Sequence, residues 1–456
     1  MAVDRSRLPV PGPEPQFQFP HIERRTLRNG LRVWTVEHRQ IPLVSVLLVT
    51  AAGAASDPAD RAGLAAITAD MLDEGCGNRS ALDIHETLGR LGAQLETDVG
   101  HDATVLGLTT LTRFLREGME LVAEMVLHPR LAEGDFERVR DLRLNRLLQY
   151  RDSPPALADR AFAELLYRDH PYGHLPIGTE RSLRAIAVDD VRQFHARAFR
   201  PDLTTVIAAG DGDHETLAAA VGDAFESWRI APDLEPVPLP SSFGEPSPPS
   251  NRLAVVHRPG AAQSELRIGH VALARRTPDY HACMVLNMIL GGQFVSRLNM
   301  NLRQEKGYTY GARTAFEFRR AAGPFAMHAS VQADATADAI RETLHEFRAI
   351  RGTRPVTGEE LAVGRAALTR GYPRNFETSD QIARAAAQLA LYELPDDYFS
   401  TFVATTLALR PEDITHAAER HLHPARAAVV VVGDRDKIGT SLASLDLGEA
   451  SEVALA

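Results

Sequence analysis

Seventeen histidines in a chain of 456 residues make a metal centre the first chemistry to test. Two imidazoles on a helix converge on one ion when they stand one turn apart, at i and i+4. The nearest approach is HAAERH at 416–421, where Arg420 occupies the place the second histidine would need. A cation there repels a metal, so the segment reads as a solvated helix face. HLH (421–423), at the end of that helix, reads as a partner of the helix dipole rather than a ligand pair. DGDHE (211–215) follows a strand and opens a helix, so its aspartates read as N-caps. The sequence contains no G-x-S-x-G, P-loop or G-x-G-x-x-G, and GHLPIG (173–178) lacks a following helix that could receive a phosphate.

Two other stretches carry unusual residues. GLAAITADMLDEG (63–75) reads as an amphipathic helix closed by Gly75. At i, i+3 and i+4 on one of its faces stand Ala66, Ala69 and Asp70, two methyl groups and a single carboxylate. In GGQFVSRLNMNLRQEKGYTYGARTAFEF (291–318), Gly291-Gly292 ends one helix and FVSRLNMNLRQE forms the next. KGYTYG then carries Tyr308 and Tyr310 into a strand. Arg303 in the last helical turn and Tyr310 could converge as donors on a carbonyl oxygen that becomes an oxyanion. Their plainer roles would be a partner for helix-end carbonyls and a core aromatic with a bonded hydroxyl.

The elements that must position these residues fall into two sets. TLRNGLRVWTV (26–36) is a hairpin pattern with Asn29-Gly30 as the positive-φ pair. A buried strand at 42–52 follows, then helices at 61–74, 81–91 and 114–127, with strand-like LETDV and ATVLGLTTL between the last two. Helical patterns at 134–151, 155–167 and 189–199 lead to the strand TTVIAAG. Residues 231–251 are rich in Pro and Ser and read as an exposed linker. Beyond them the pattern restarts: strands at 252–257 and 265–274, helices at 279–290 and 294–305, two strands, a helical run to 422, and AAVVVVG.

The restart has a register. DDVRQFHARAFRPDLTTVIAAGD ends the first half and EDITHAAERHLHPARAAVVVVGD the second. Asp190 and Asp413, Pro201 and Pro424, and Gly210 and Gly433 are all separated by 223 residues. A capping Asp, a helix-stopping Pro and a strand ending in Gly-Asp recur without a gap, which indicates a tandem duplication. The expected fold is α+β, two similar domains each with a mainly antiparallel sheet and helices on one face. The expected division is an arm (1–20), domains at 21–230 and 252–440 around the linker (231–251), and a tail (441–456).

Composition limits the partners. A net charge of −10 argues against nucleic acid or an anionic membrane, both of which reward basic patches. Cys76 and Cys283 lack CxxC spacing and read as reduced, buried thiols. No stretch of 18 apolar residues and no apolar leader core occurs, so the expected location is cytoplasmic, or periplasmic if an upstream signal peptide was removed.

With these motifs the chain resembles the M16 peptidase family, relatives of pitrilysin, insulinase and mitochondrial processing peptidase, in its short two-domain form. The resemblance runs from His21 to Asp434. It rests on RNGLRVW, DRAGLAAITADMLDEG, HPYGHLPIGTERSLRAI, GGQFVSRLNMNLRQEKGYTYG and the closing VVVVGD, in that order. Zinc-binding members read G-L-A-H-x-x-E-H-M-L across 63–72. The resemblance therefore puts the two histidine ligands on Ala66 and Asp70 and the catalytic glutamate on Ala69. A third ligand, a Glu on a later helix, would fall near Asn145 or Arg146, and neither is a carboxylate.

The other half of the family's site matches. Arg303 and Tyr310 coincide with the Arg/Tyr pair that reaches substrate beside the zinc. The resemblance thus implies a subunit with no cofactor of its own. Its homologous partner would carry H-x-x-E-H and the zinc, in a heterodimer or dimer of heterodimers acting on peptides. The long glycine-rich loop of the mitochondrial non-catalytic subunit is missing, which favours a bacterial-type heterodimer. The alternative is an inactive structural subunit of a larger assembly, in which Arg303 and Tyr310 only pack.

Overall fold

The computed structural model describes residues 17–230, 233–240, 243–249 and 251–453. Most of the expected arm lies outside the described residues. The β-branched, alternating segments of each half assemble into a six-stranded sheet. The first comprises β1 (Ile22–Thr26), β2 (Arg32–Glu37), β3 (Leu43–Thr50), β6 (Gln94–Val99), β7 (Thr104–Leu111) and β8 (Thr204–Gly210), while β4 (Gly75–Cys76) and β5 (Arg79–Ser80) form a separate small hairpin. The second comprises β9 (Leu253–His257), β10 (Gln263–Val271), β11 (Thr309–Phe316), β12 (Pro324–Gln332), β13 (Ala428–Gly433) and β14 (Ser451–Glu452).

Five strands of each sheet share one topology. In the first, β2 runs parallel to β8, and β8–β3, β3–β7 and β7–β6 are antiparallel. In the second, β9 runs parallel to β13, and β13–β10, β10–β12 and β12–β11 are antiparallel. The landmarks 223 residues apart fall on equivalent places. Asp190 and Asp413 each accept the N-cap backbone N–H of their helix at 2.8 Å. Pro201 and Pro424 each open a short turn, and Gly210 and Gly433 end β8 and β13. The sixth strands differ, β1 pairing antiparallel to β2 and β14 parallel to β9.

The helices of the first half are α1 (Leu64–Asp70), α2 (Ala81–Leu91), α3 (Leu115–Leu127), α4 (Glu133–Arg151), α5 (Pro154–Tyr167), α6 (Glu180–Ala185), α7 (Val188–Ala198) and α8 (His214–Phe225). Those of the second are α9 (Tyr280–Asn287), α10 (Thr336–Ala349), α11 (Gly358–Thr369), α12 (Ser379–Tyr392), α13 (Tyr398–Ala408), α14 (Pro411–His421) and α15 (Arg435–Leu442). Helices on one face of each sheet are only half of the arrangement. One face of the first sheet packs on its own helices, Val33, Val46 and Val206 meeting Ile67, Met119 and Val191. The other face, with Trp34, Leu47, Val49 and Ile207, is covered by Ile382, Leu389, Phe399 and Phe402 of α12 and α13 from the second half. Reciprocally, Ala158, Phe162 and Leu166 of α5 cover Ala254, Val256, Ala428 and Val430 of the second sheet. The first half lends α5, and the second lends α12 and α13.

Several local expectations change. Gly30 has φ +91, but Asn29 is not left-handed; its amide instead donates to the Phe225 and Trp228 carbonyls at 2.9 and 3.1 Å. The segment 231–251 is not simply exposed: Val237 is buried in the first core, and Arg200 donates to the Leu234 carbonyl. The expected tail is part of the second domain, since α15 runs across residue 440 and β14 pairs with β9. Both cysteines are buried and unpaired, and burial pushes the Cys76 thiol up to about 11 and Cys283 to about 12. Among the described residues no helix is long and apolar enough to cross a membrane.

One buried histidine gives the fold a pH dependence. His270 is 3% exposed; its Nδ1–H donates to the Val271 carbonyl at 2.9 Å and its Nε2 accepts the His423 N–H at 3.0 Å. That arrangement holds the neutral ring, and burial lowers its pKa to about 4. The unfolded chain takes up this proton first as pH falls, so the contribution is intact above about 6.5 and is lost progressively towards pH 4. Its full size is roughly 3 kcal/mol. Urea midpoints measured from pH 7 to pH 4 should fall, and His270→Gln should remove one proton's worth of that slope; an unchanged slope would show that His270 titrates normally.

Candidate functional site

The first-domain site is built on α1, and its N-terminus is fixed by a buried carboxylate. Asp57 accepts the backbone N–H groups of Gly63 and Ala65, both at 2.7 Å, and lies 3.1 Å from His174 Nε2. Burial raises the Asp57 pKa against the pull of His174 and the two amides. Gly63 (φ +97) and Gly178 (φ +79) allow two backbones to touch here, since a Cβ on Gly178 would stand 2.4 Å from the Ala62 carbonyl oxygen. Motif residues 63 and 174–178 therefore serve one task, the placement of α1.

The helix itself differs from the expectation. It ends at Asp70, and Leu64 through Ala69 are all buried, so it is not amphipathic. Ala66 and Ala69 are 3% and 1% exposed and offer no lone pair to an ion. Asp70 is engaged by α4: Arg143 Nε donates to Asp70 Oδ2 at 2.8 Å, and Arg146 Nη1 lies 3.9 Å from the same oxygen. Two guanidinium groups thus face Asp70 from the helix on which the resemblance would put a third carboxylate ligand. A zinc ion does not fit this set of residues. Beside it opens a cleft of about 450 Å3 whose walls include Asp70, Asp73, His85 and Arg146. Burial, with Glu74 close by, raises the pKa of Asp73.

The second-domain residues sit on a rigid mount. Residues 294 and 295 form a turn rather than the start of a helix, and Asn299–Glu305 wind into a wide π-helix. The Asn299 side chain takes both backbone groups of Ala312, donating to its carbonyl at 2.8 Å and accepting its N–H at 2.9 Å. The segment bearing Arg303 is thereby clamped to β11. Opposite β12, β11 carries a bulge between Thr309 and Ala312, with one extra residue at Tyr310-Gly311. The Thr309 hydroxyl pins it, donating to the Ser330 carbonyl at 2.7 Å and accepting the Gly311 N–H at 3.1 Å.

The bulge turns Tyr310 outward. It is 90% exposed, and its hydroxyl has no hydrogen-bond partner among the described residues, so it is not the core aromatic its sequence position suggests. Arg303 does not cap helix-end carbonyls; its guanidinium lies 4.1 Å from the centre of the exposed Phe294 ring. No hydrogen bond, ion pair or ring contact joins Arg303 or Tyr310 to α1 among the described residues. Asp57 and Arg143 escaped the sequence reading. Arg143 had a signal, an arginine three residues before Arg146 on a helix already expected to face α1. The other candidates resolve as structure: His421 Nε2 lies 2.7 Å from Asp279, and Asp213 caps α8 through the Thr216 N–H.

A family model described as insulinase (peptidase family M16) matches residues 32–180, and one described as the peptidase M16 inactive domain matches residues 185–368. The chain belongs to the M16 peptidase family. It is a two-domain M16 chain without the H-x-x-E-H motif. An uncharacterized zinc protease of Mycobacterium bovis is 29% identical over 418 residues, covering 90% of this chain and 92% of that protein. One of Bacillus subtilis is 21% identical over 344 residues, covering 75% and 81%. A crystal structure described as a peptidase M16 inactive domain from Pseudomonas fluorescens is similar with a TM-score of 0.83 at 25% identity, covering 91% of this chain and 98% of that one. A protease from Helicobacter pylori shares the fold, with a TM-score of 0.84 at 21% identity and coverage of 91% and 99%.

Proposed function

We propose that this chain is the zinc-less subunit of a two-chain M16 peptidase. In this reading it presents Arg303 and Tyr310 to peptides bound against a homologous subunit that carries H-x-x-E-H and, with it, the zinc. The observation that carries the reading is the exposed, unpartnered Tyr310 hydroxyl on a bulge held by Thr309 and Asn299. A phenol mounted so firmly and left without a partner is placed to donate to something outside the chain. The guanidinium on the adjoining segment supplies a second donor and a positive charge.

Co-expression with an M16 chain bearing H-x-x-E-H tests this. The two should co-purify at equal stoichiometry with one zinc per pair, and the pair should hydrolyse peptides faster than either chain alone. A partner equally active without this chain would overturn the proposal.

A further inference from the structure

The borrowed helix does not cover the first sheet to its end. α12 stops at Tyr392, and Glu393 turns the chain away in a left-handed conformation, φ 52. Beyond that turn lies a cavity of about 150 Å3 whose walls include Arg32, Val49, Thr205, Arg320, Ala390 and Glu393. Arg32 and Thr205 are register partners in the parallel β2–β8 pair. By alternation both project from the face that carries Trp34 and Ile207. The cavity therefore sits between the two halves of the chain, floored by one and roofed by the other.

Its charges do not balance. Among the described residues, Arg32 has no carboxylate within ion-pair distance. Arg320 Nη2 reaches Glu393 Oε1 at 3.4 Å, and the other oxygen of that carboxylate already takes Arg276 at 3.1 Å. Asp202, also on the wall, is occupied by Arg200, whose Nε and Nη2 donate to it at 3.0 and 2.9 Å. Asp102 takes the backbone N–H of Arg320 and not its guanidinium. Arg276 and Arg320 thus share one carboxylate, and Arg32 has none of its own. Burial lowers the Arg32 pKa, and the charge of Arg320 adds to the effect against the pull of Glu393. The Thr205 hydroxyl, in a side chain 1% exposed, has no hydrogen-bond partner among the described residues.

Planar guanidinium groups around a small, partly closed space, with a spare hydroxyl at its floor, match the donor needs of a compact oxyanion. We infer that this cavity is a binding site for a small, multiply charged oxyanion of the phosphate type, held by Arg32 and Arg320 with Thr205. The site is separate from α1 and from the Arg303 segment, so the inference does not rest on the proposed subunit role.

The test is calorimetric titration of the full chain with inorganic phosphate at fixed ionic strength, beside acetate and chloride. Saturable binding of one phosphate per chain is expected, with affinity at least tenfold weaker in Arg32→Gln and in Arg320→Gln. In anion-free buffer Arg32→Gln should melt no lower than the unmutated chain, since it removes a half-buried cation that has no partner. Absence of saturable phosphate binding, unchanged affinity in both variants, or equal competition by acetate would overturn the assignment. A lower melting temperature of Arg32→Gln in anion-free buffer would overturn it too, making Arg32 a structural partner of the α12 C-terminus.

Discussion

Complexes assembled with Arg303→Ala or Tyr310→Phe should turn over peptides about 10²–10³ more slowly than the unmutated complex, with assembly and zinc content unchanged. The size follows from the usual worth of one donor aimed at a developing oxyanion, roughly 2.7–4 kcal/mol. Tyr310→Phe is the cleaner substitution, because it removes one oxygen from a side chain that is 90% exposed and packs into no core. Arg303→Lys should rescue only in part, since an ammonium lacks the planar fork and stacks less well over Phe294. Steady-state rates of the three complexes decide the matter. Unchanged turnover in the first two would show that neither side chain acts on substrate and would favour a purely structural subunit.

The second large effect is on the first-domain site. Rebuilding the motif by Ala66→His, Ala69→Glu and Asp70→His should yield no stoichiometric zinc and should destabilise the chain. The substitution removes the carboxylate that answers Arg143, whose side chain is 8% exposed, and leaves that cation unpaired. Breaking a fully buried pair costs about 3–5 kcal/mol. With Asp70 30% exposed, solvent screening brings the expectation down to roughly 2–3 kcal/mol. The new imidazole at position 66 and carboxylate at position 69 would also be forced into space sized for methyl groups. Metal analysis with a chelator control and urea unfolding measure the two halves of the prediction. One zinc per chain at unchanged stability would refute it.

What could be read from the chain alone depended on whether the cause was local. The duplicated topology was legible because strand alternation, the capping Asp190 and Asp413, and the stops at Pro201 and Pro424 are all encoded within a few residues. The exchange of α5 and α12 was not, because periodicity shows that a face is apolar without showing what covers it. Nor was the Asp70–Arg143 pair, which joins residues 73 positions apart. Nor was the bulge at Tyr310-Gly311 legible: alternation from the buried Ala312 and Thr314 would turn Tyr310 inward, and one extra residue reverses that direction.

The reciprocal loan of helices has a consequence for the chain as it is synthesised. Until residues 379–402 have emerged, the face of the first sheet bearing Trp34, Leu47, Val49 and Ile207 has nothing to lie against. The second sheet likewise depends on α5, made some hundred residues before β9 exists. Neither half can complete its core alone, so the two must fold as one cooperative unit through contacts between residues far apart in sequence. Chains of this kind fold slowly and expose sticky surface while they wait. A break near residues 231–251 would therefore release two unfinished sheets rather than two domains.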